Sequence, residues 1–482
     1  MIPHIVVAGG GVAGWLTAAI LAHTCGADAV RVIDERGADM SLGPFGEGIA
    51  ARPDFPLLAD EMGWDEAALL RAASGGHALG TAFDGWTARE QSWFLPYGES
   101  GAPIGSIAFQ HLADRLRRTG RDIRHADYSL AALAAQSGRF AHPSPDPRSP
   151  LSTYSYGLHL DGRGFADFLR MASGVKRIIG GIGDIERHAD GGIAALRLVD
   201  GRRIAGDLFI DCTGPAARLI GTMPGACFDN WRAWLPCDRT ITRIEPDTGD
   251  AAPYARHAAH DGGWVRHLPL TGARALTLFY SGSAMTDAAA EASMGARAVS
   301  FESGRQAQPW IANCVAIGAS AALADPLLGL DLQLATAAAR RLAGLLPHPQ
   351  AGGVEAREYN RVTAAELDRA RDLAILPWKT NGRIGQPLWE TARALDVPDT
   401  LAHKIALYRS RGRVVMYDEE PLERQDWVAL FEGQGVHPRR YDPLADSVPL
   451  DQIGAHMDRL RTVLTRAAAA MPRYADYPGR AA

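Results

Sequence analysis

The stretch Ile5–Glu35 reads IVVAGGGVAGWLTAAILAHTCGADAVRVIDE, and the remaining chain is interpretable only around it. Ile5–Ala8 is a short apolar run with β-branched residues, the pattern of a buried strand. Gly9, Gly11 and Gly14 follow at GxGxxG spacing. The first glycine permits a tight turn, the second lets backbone approach a pyrophosphate, and the third lets the next helix pack closely on the strand. Trp15–Cys25 continues as a helix whose N-terminal amides would face phosphates. Ala29–Ile33 is a second strand, and Asp34 comes 20 residues after Gly14, where an acid accepts a hydrogen bond from an adenosine ribose. A lone GxGxxG says little. Strand, turn, helix, strand and acid in one unit predict a dinucleotide-binding βαβ opening.

A chain of 482 residues is too long for one simple core, so two regions are expected. Its 47% apolar and 22% charged content is that of an ordinary globular protein. A formal net charge of −5 gives no reason to expect nucleic acid as a partner. The five cysteines (Cys25, Cys212, Cys227, Cys237, Cys314) are scattered and odd in number, without a CxxC. They fit reduced thiols in a cytoplasmic protein better than a disulfide framework. No signal peptide is expected, no apolar run suggests a membrane span, and no metal site is read from the sequence. Lysine occurs only at positions 176, 379 and 404, so arginine supplies almost all the positive charge.

Along the chain, Gly43–Ile49 (GPFGEGI) is a glycine-rich loop carrying Glu47. An amphipathic stretch over Phe55–Ala72 follows, then a strand over Gly75–Trp86 (GGHALGTAFDGW) and an aromatic, proline-rich covering loop over Trp93–Ile104. In YGLHLDGRGFADFLRM from Tyr156, Leu158 and Leu160 end a strand and Asp161 caps a helix. Asp200-Gly201 signals a hairpin. Phe209–Gly214 (FIDCTG) is a buried strand ending in a glycine, able to bring backbone near a cofactor, and Asp325-Pro326 enters a helix over Gln333–Leu346. This order is the layout of an α/β, FAD-binding monooxygenase-like domain of Rossmann type, assembled from separated pieces. Residues 1–352 are expected to form this FAD-binding and substrate domain. Residues 353–482, helical in pattern and punctuated by prolines, are expected to form a mainly helical C-terminal region packed on it.

These motifs carry a family resemblance. GGGVAGW, GEGI at Gly46–Ile49, LGTAFDGW at Leu79–Trp86, WLPCDR, WVRHLP, ADPLLGL, RDLAILPW from Arg371 and GQGVHPRRYDPLAD from Gly433 resemble the flavin-dependent tryptophan halogenases nearly end to end. The resemblance implies a chemistry in which reduced FAD, supplied by a separate flavin reductase, and oxygen oxidise a bound halide to hypohalous acid. That species travels through a tunnel to a lysine beside a small aromatic substrate, where a glutamate also lies. A Thr-Gly-type segment near the flavin holds the halide. A homodimer is left open.

The sequence departs from the family pattern at its chemistry. Aligning LGTAFDGW puts Ala78 at the lysine position, with His77 before it. Leu328 falls at the glutamate position, and Gly329, Leu330 and Asp331 replace the Ser-Thr-Gly run. A carboxylate is electrostatically wrong for an anion site. Trp264 keeps the first tryptophan of WxWxIP, but Arg266 replaces the second. Gly48 and Ile49 replace a Ser-Thr pair.

The resulting candidates are His77, Glu47 and Arg266 for catalysis. Gly9, Gly11, Gly14, Asp34, Gly214 and Asp325 are candidates for FAD, and Trp264, Ala78, Leu328 and Asp331 for the substrate side. Blander readings stand beside them. His77 reads more readily as a packed strand histidine, and Glu47 equally as a solvated or capping acid. Trp264 reads as core, and Gly214 and Asp325 as a strand-end glycine and a helix cap. Arg266, with His267, suits an anionic group, or it is a structural partner of Asp331 or Glu47. The expected function is an FAD-dependent oxidoreductase acting on an indole-like molecule with oxygen, with lysine-dependent halogenation disfavoured. The alternatives are a non-catalytic FAD-binding sensor or partner protein, and a halogenase using other residues.

Overall fold

The computed structural model describes residues 4–35, 47–88, 90–246, 252–346 and 353–477, so Gly43–Gly46 of the glycine-rich loop lie outside it. The opening unit folds as β1 (Ile5–Ala8), α1 (Val12–Cys25) and β2 (Val30–Asp34). β1 runs parallel to β2 on one side and to Leu208–Asp211 on the other. Lys176–Ile179 and Cys314–Ala316 extend the sheet in parallel, and Trp310–Ile311 closes one edge antiparallel. Segments around residues 5, 177, 210 and 315 thus meet in one sheet, so the cofactor half is discontinuous in sequence. α1 lies between this sheet and two other helices. Trp15, Leu16 and Leu21 pack with Phe165 and Leu169 of the helix Gly162–Ser173 and with Leu332 and Ala339 of Asp331–Gly344.

The second half is a seven-stranded, mostly antiparallel sheet. Its central strands are Arg239–Pro246, Ala273–Tyr280, Gly263–Leu270 and Ala255–His260. Gly80–Asp84 joins Ala255–His260 in parallel, and Ser92–Pro96 forms the edge. A small antiparallel sheet of Gly48–Ala51, Gly157–Asp161 and Gly76–Ala78 bridges the two halves.

Two expectations change. The single strand over Gly75–Trp86 is two strands in different sheets, Gly76–Ala78 and Gly80–Asp84. Gly80 makes the transfer: its φ is +153°, and a Cβ there would lie 2.2 Å from the Leu95 carbonyl oxygen. The covering loop over Trp93–Ile104 begins as an edge strand, Ser92–Pro96. Its alternating large side chains suit a sheet face, and Trp93 stacks on Phe83 with ring centroids 4.2 Å apart.

Much of the helical region after 353 packs on that second sheet, while the helix Leu450–Ala470 packs on the helices Phe109–Arg117 and Leu130–Gln136. Val354–Thr380 runs through Pro377 and places Trp378 against Trp389 (centroids 4.6 Å) and Trp86 (5.3 Å). A cluster joining Phe83, Trp86, Trp264 and Phe279 to Trp378, Trp389, Tyr408 and Trp427 ties the C-terminal helices to the sheet. The helix Arg424–Gly433 escaped the sequence reading. It starts in a capping box formed by Glu423 and Asp426, a signal present in the sequence. Among the described residues, no helix is long and apolar enough to cross a membrane.

Candidate functional site

A cavity of about 430 Å³ opens where the carboxyl ends of β1 and Leu208–Asp211 face α1. Parallel α/β sheets bind ligands at this position. Gly9–Ala13 form one wall, Cys212–Ala216 another, and Gly48–Ala50, Arg266, Gly329 and Asp331 line the far end. No side chain caps α1 at Gly11, so the helix presents its N-terminal amides and its positive dipole end to the cavity. The three glycines do different work. A Cβ on Gly9 would lie 2.2 Å from the Cys212 carbonyl oxygen, and one on Gly14 would lie 1.9 Å from the Gly9 carbonyl oxygen. A Cβ on Gly11 would meet nothing within 4 Å. Gly9 and Gly14 are therefore required by close packing, whereas the space at Gly11 is a cradle that a side chain would fill. These residues fit the pyrophosphate of FAD.

Other residues frame that cradle. Asp34 is fully buried; its carboxylate accepts from Arg177 Nε at 2.8 Å and sits where a Cβ on Gly10 would fall. The adjacent acid, Glu35, lines the cavity and holds Arg218 at 2.6 Å through both oxygens. Asp211, unnoticed in the sequence, anchors the Thr213–Gly214 floor. Its buried carboxylate accepts from the backbone N–H groups of Thr213, Leu219 and Ile220 (2.8–2.9 Å) and from the hydroxyls of Thr213 (2.7 Å) and Ser320 (3.1 Å). Gly214, at φ +77°, opens the turn Gly214–Ala216 on the cavity wall.

At the far end Arg266 is buried, donates to the Gly48 carbonyl at 3.0 Å and lies 5.5 Å over the Phe279 ring. Burial lowers its pKa to about 10, and the charges of Asp331 and Asp325 oppose that loss. Asp331 is the first residue of its helix and opens onto the cavity. Its side chain is exposed to the cavity, yet the protein packed around it raises its pKa to about 6 against the pull of Arg266. Asp325 is buried behind it. It accepts from the Leu327 N–H and from Trp378 Nε1, both at 3.2 Å, and desolvation lifts it to about 7.

Neither Asp34, expected at an adenosine ribose but buried against Arg177, nor Asp325 lines this cavity, and the remaining candidates do not line it either. Glu47 pairs with Arg163, and its carbonyl accepts from the Gly162 N–H at 2.7 Å. Trp264 is a fully buried core ring, stacked on Phe279 at 4.3 Å. Ala78 and Leu328 are both buried. Arg52, another residue the sequence reading passed over, donates to the Leu328 carbonyl at 3.3 Å, lies over Tyr97 and approaches Asp426 at 3.7 Å. His77 alternates with Ala78 along its strand, and its ring turns to Glu66 and stacks on Phe140. The lysines lie elsewhere. Lys404 is buried against Glu420 and Trp427, Lys379 holds the Arg393 and Leu395 carbonyls, and Lys176 is exposed on its strand.

The fold and this cavity define a flavoprotein of the FAD-binding monooxygenase type. The sequence model of the tryptophan halogenase family matches residues 4–450, and the chain belongs to that family. It is 26% identical to the tryptophan 6-halogenase SttH of Streptomyces toxytricini, with 95% of each chain covered. Among solved structures it resembles BrvH, a flavin-dependent halogenase from Brevundimonas sp. BAL3, with a TM-score of 0.93, 32% identity and 98% of each chain covered. It also resembles Xcc4156, a flavin-dependent halogenase from Xanthomonas campestris, with a TM-score of 0.92 and 30% identity, covering 99% of this chain and 97% of that one.

Proposed function

We propose that the protein is an FAD-dependent oxidoreductase that oxidises a small, indole-like aromatic molecule without lysine-dependent halogenation. Reduced FAD from a separate flavin reductase would supply the oxygen-activating chemistry. The chain's own contribution is binding and charge. The cradle at Gly11 and the dipole of α1 hold the pyrophosphate, the floor built on Asp211 shapes the cavity, and Arg266 with Asp331 sets the field at its far end.

One observation carries the reading. Ala78 and Leu328 bring only buried hydrocarbon to the positions where the family resemblance expects a lysine and a glutamate, and Lys176, Lys379 and Lys404 are engaged or exposed elsewhere. Losing a positioned acid–base group alone lowers a rate by about 10²–10⁴. Asp331 adds a second obstacle, since a carboxylate facing the cavity repels a halide. The named activities of the relatives, halogenation of tryptophan, support an aromatic substrate.

The test is turnover of an indole panel with a flavin reductase under isotopically labelled oxygen. The expected result is a product carrying one labelled oxygen atom. Flavin binding with no product, and oxygen uptake no faster than that of free reduced flavin, would instead make the protein a non-catalytic FAD-binding homologue.

A further inference from the structure

Away from the flavin cavity, three side chains from separate parts of the sequence converge on one point. Glu66 comes from the helix Glu66–Ala72, His77 from the strand Gly76–Ala78, and His142 from the loop after the helix Leu130–Gln136. Glu66 Oε1 lies 3.1 Å from His77 Nε2 and 3.0 Å from His142 Nε2. The three ligand atoms all fall within 4.8 Å of one another. A tetrahedral zinc centre with bonds of about 2.0–2.2 Å holds its ligand atoms roughly 3.3–3.5 Å apart, so a shift of Glu66 Oε1 by a few tenths of an ångström from each histidine would bring its two contacts to that spacing.

The surroundings orient the Glu66 and His142 atoms as supporting groups do around metal ligands, whereas His77 Nδ1 is buried without a hydrogen-bond partner among the described residues. Glu66 Oε2 accepts from the Tyr156 hydroxyl at 2.5 Å, which leaves Oε1 to face the histidines. His142 Nδ1 meets the Tyr477 hydroxyl at 2.5 Å, which directs Nε2 inward. The His77 ring is stacked on Phe140 with centroids 4.3 Å apart and is almost wholly buried. The His142 and Glu66 side chains are 43% and 27% exposed, so an ion has a path from solvent and a coordination position left for water.

We propose that Glu66, His77 and His142 form a binding site for one divalent transition-metal ion of the zinc type. Two imidazoles and one carboxylate with an open position match the donor set of three-ligand zinc sites. The site joins a helix, a strand and a loop, and through Tyr477 it reaches the C-terminal segment. A bound ion would brace the strand that carries Ala78. This inference is independent of the oxidoreductase reading, because none of its residues lines the flavin cavity.

The test uses tag-free, full-length protein, stripped with a chelator and reloaded with Zn2+ or Co2+. About one equivalent of Zn2+ per chain after dialysis is expected, with a rise of several degrees in Tm. Co2+ should give visible ligand-field bands. His142→Ala, at a half-exposed position, and Glu66→Gln should lose the retained ion, the bands and the Tm response while keeping the far-ultraviolet spectrum of the native fold. Failure of the unmodified protein to retain Zn2+ would overturn the proposal and leave a hydrogen-bonded cluster. Retention unchanged in both variants would also overturn it, placing the ion elsewhere.

Discussion

At the scale of single residues, the glycines of the opening motif divide into two that are closely packed and one that faces open space, and the proposed binding role of that one is testable. Gly11 has φ −77° and ψ −174°, a conformation open to any residue, and its Cβ direction points into free space. Gly11→Val should therefore fold normally yet lose FAD binding, measured by flavin fluorescence titration. Unchanged affinity would contradict the cofactor assignment. The close packing at Gly9 and Gly14 and the open space at Gly11 were legible because the motif fixes their spacing. Glu35 and Asp211 were not, because an acid's role at a strand end depends on which way it faces and on loops brought in from elsewhere. Asp325 offers a pH test. Its folded pKa of about 7 lies above its ordinary value of 3.8, because burial disfavours the charge. The folded chain therefore holds a proton that the unfolded chain releases. The stability this group contributes is present below about pH 4 and is lost as pH rises through about 7. In the flavin-free protein, the Tm of Asp325→Asn relative to the unmodified chain should rise from pH 5 to about pH 7 and level off above it. A pH-independent difference would show that Asp325 is ionised throughout.

At the scale of elements, the βαβ unit, the hairpin around Asp200-Gly201 and the long C-terminal helices were readable because local period and capping decide them. The split at Gly80 and the edge strand Ser92–Pro96 were not readable, because both depend on partners distant in sequence. Arg52 belongs to the same class. It follows a strand of the bridging sheet, yet its partners are Leu328, Tyr97 and Asp426 from three other elements. Arg52→Ala should leave the largely enclosed Asp426, 12% exposed, without its cation and lower unfolding stability by about 2 kcal/mol in urea titration. A loss below about 1 kcal/mol would mean that the pair is effectively solvated.

At the scale of the molecule, the sequence pattern gave the α/β class and the helical C-terminal region, but not the aromatic cluster that joins them. Trp378, Trp389, Tyr408 and Trp427 share one core with Phe83, Trp86, Trp264 and Phe279. A fragment of residues 353–482 would expose those rings, so it should fail to unfold cooperatively in isolation. A soluble fragment with a sharp thermal transition would make it an autonomous domain. With Ala78 and Leu328 in place of a lysine and a glutamate, this scaffold is expected to lack lysine-dependent halogenation. The most direct measurement is mass spectrometry of tryptophan and simple indoles after turnover with a flavin reductase and excess bromide. No monobrominated product above the enzyme-free control is predicted. Robust monobromination by the unmodified protein would contradict that expectation and would assign the lysine's role to another group.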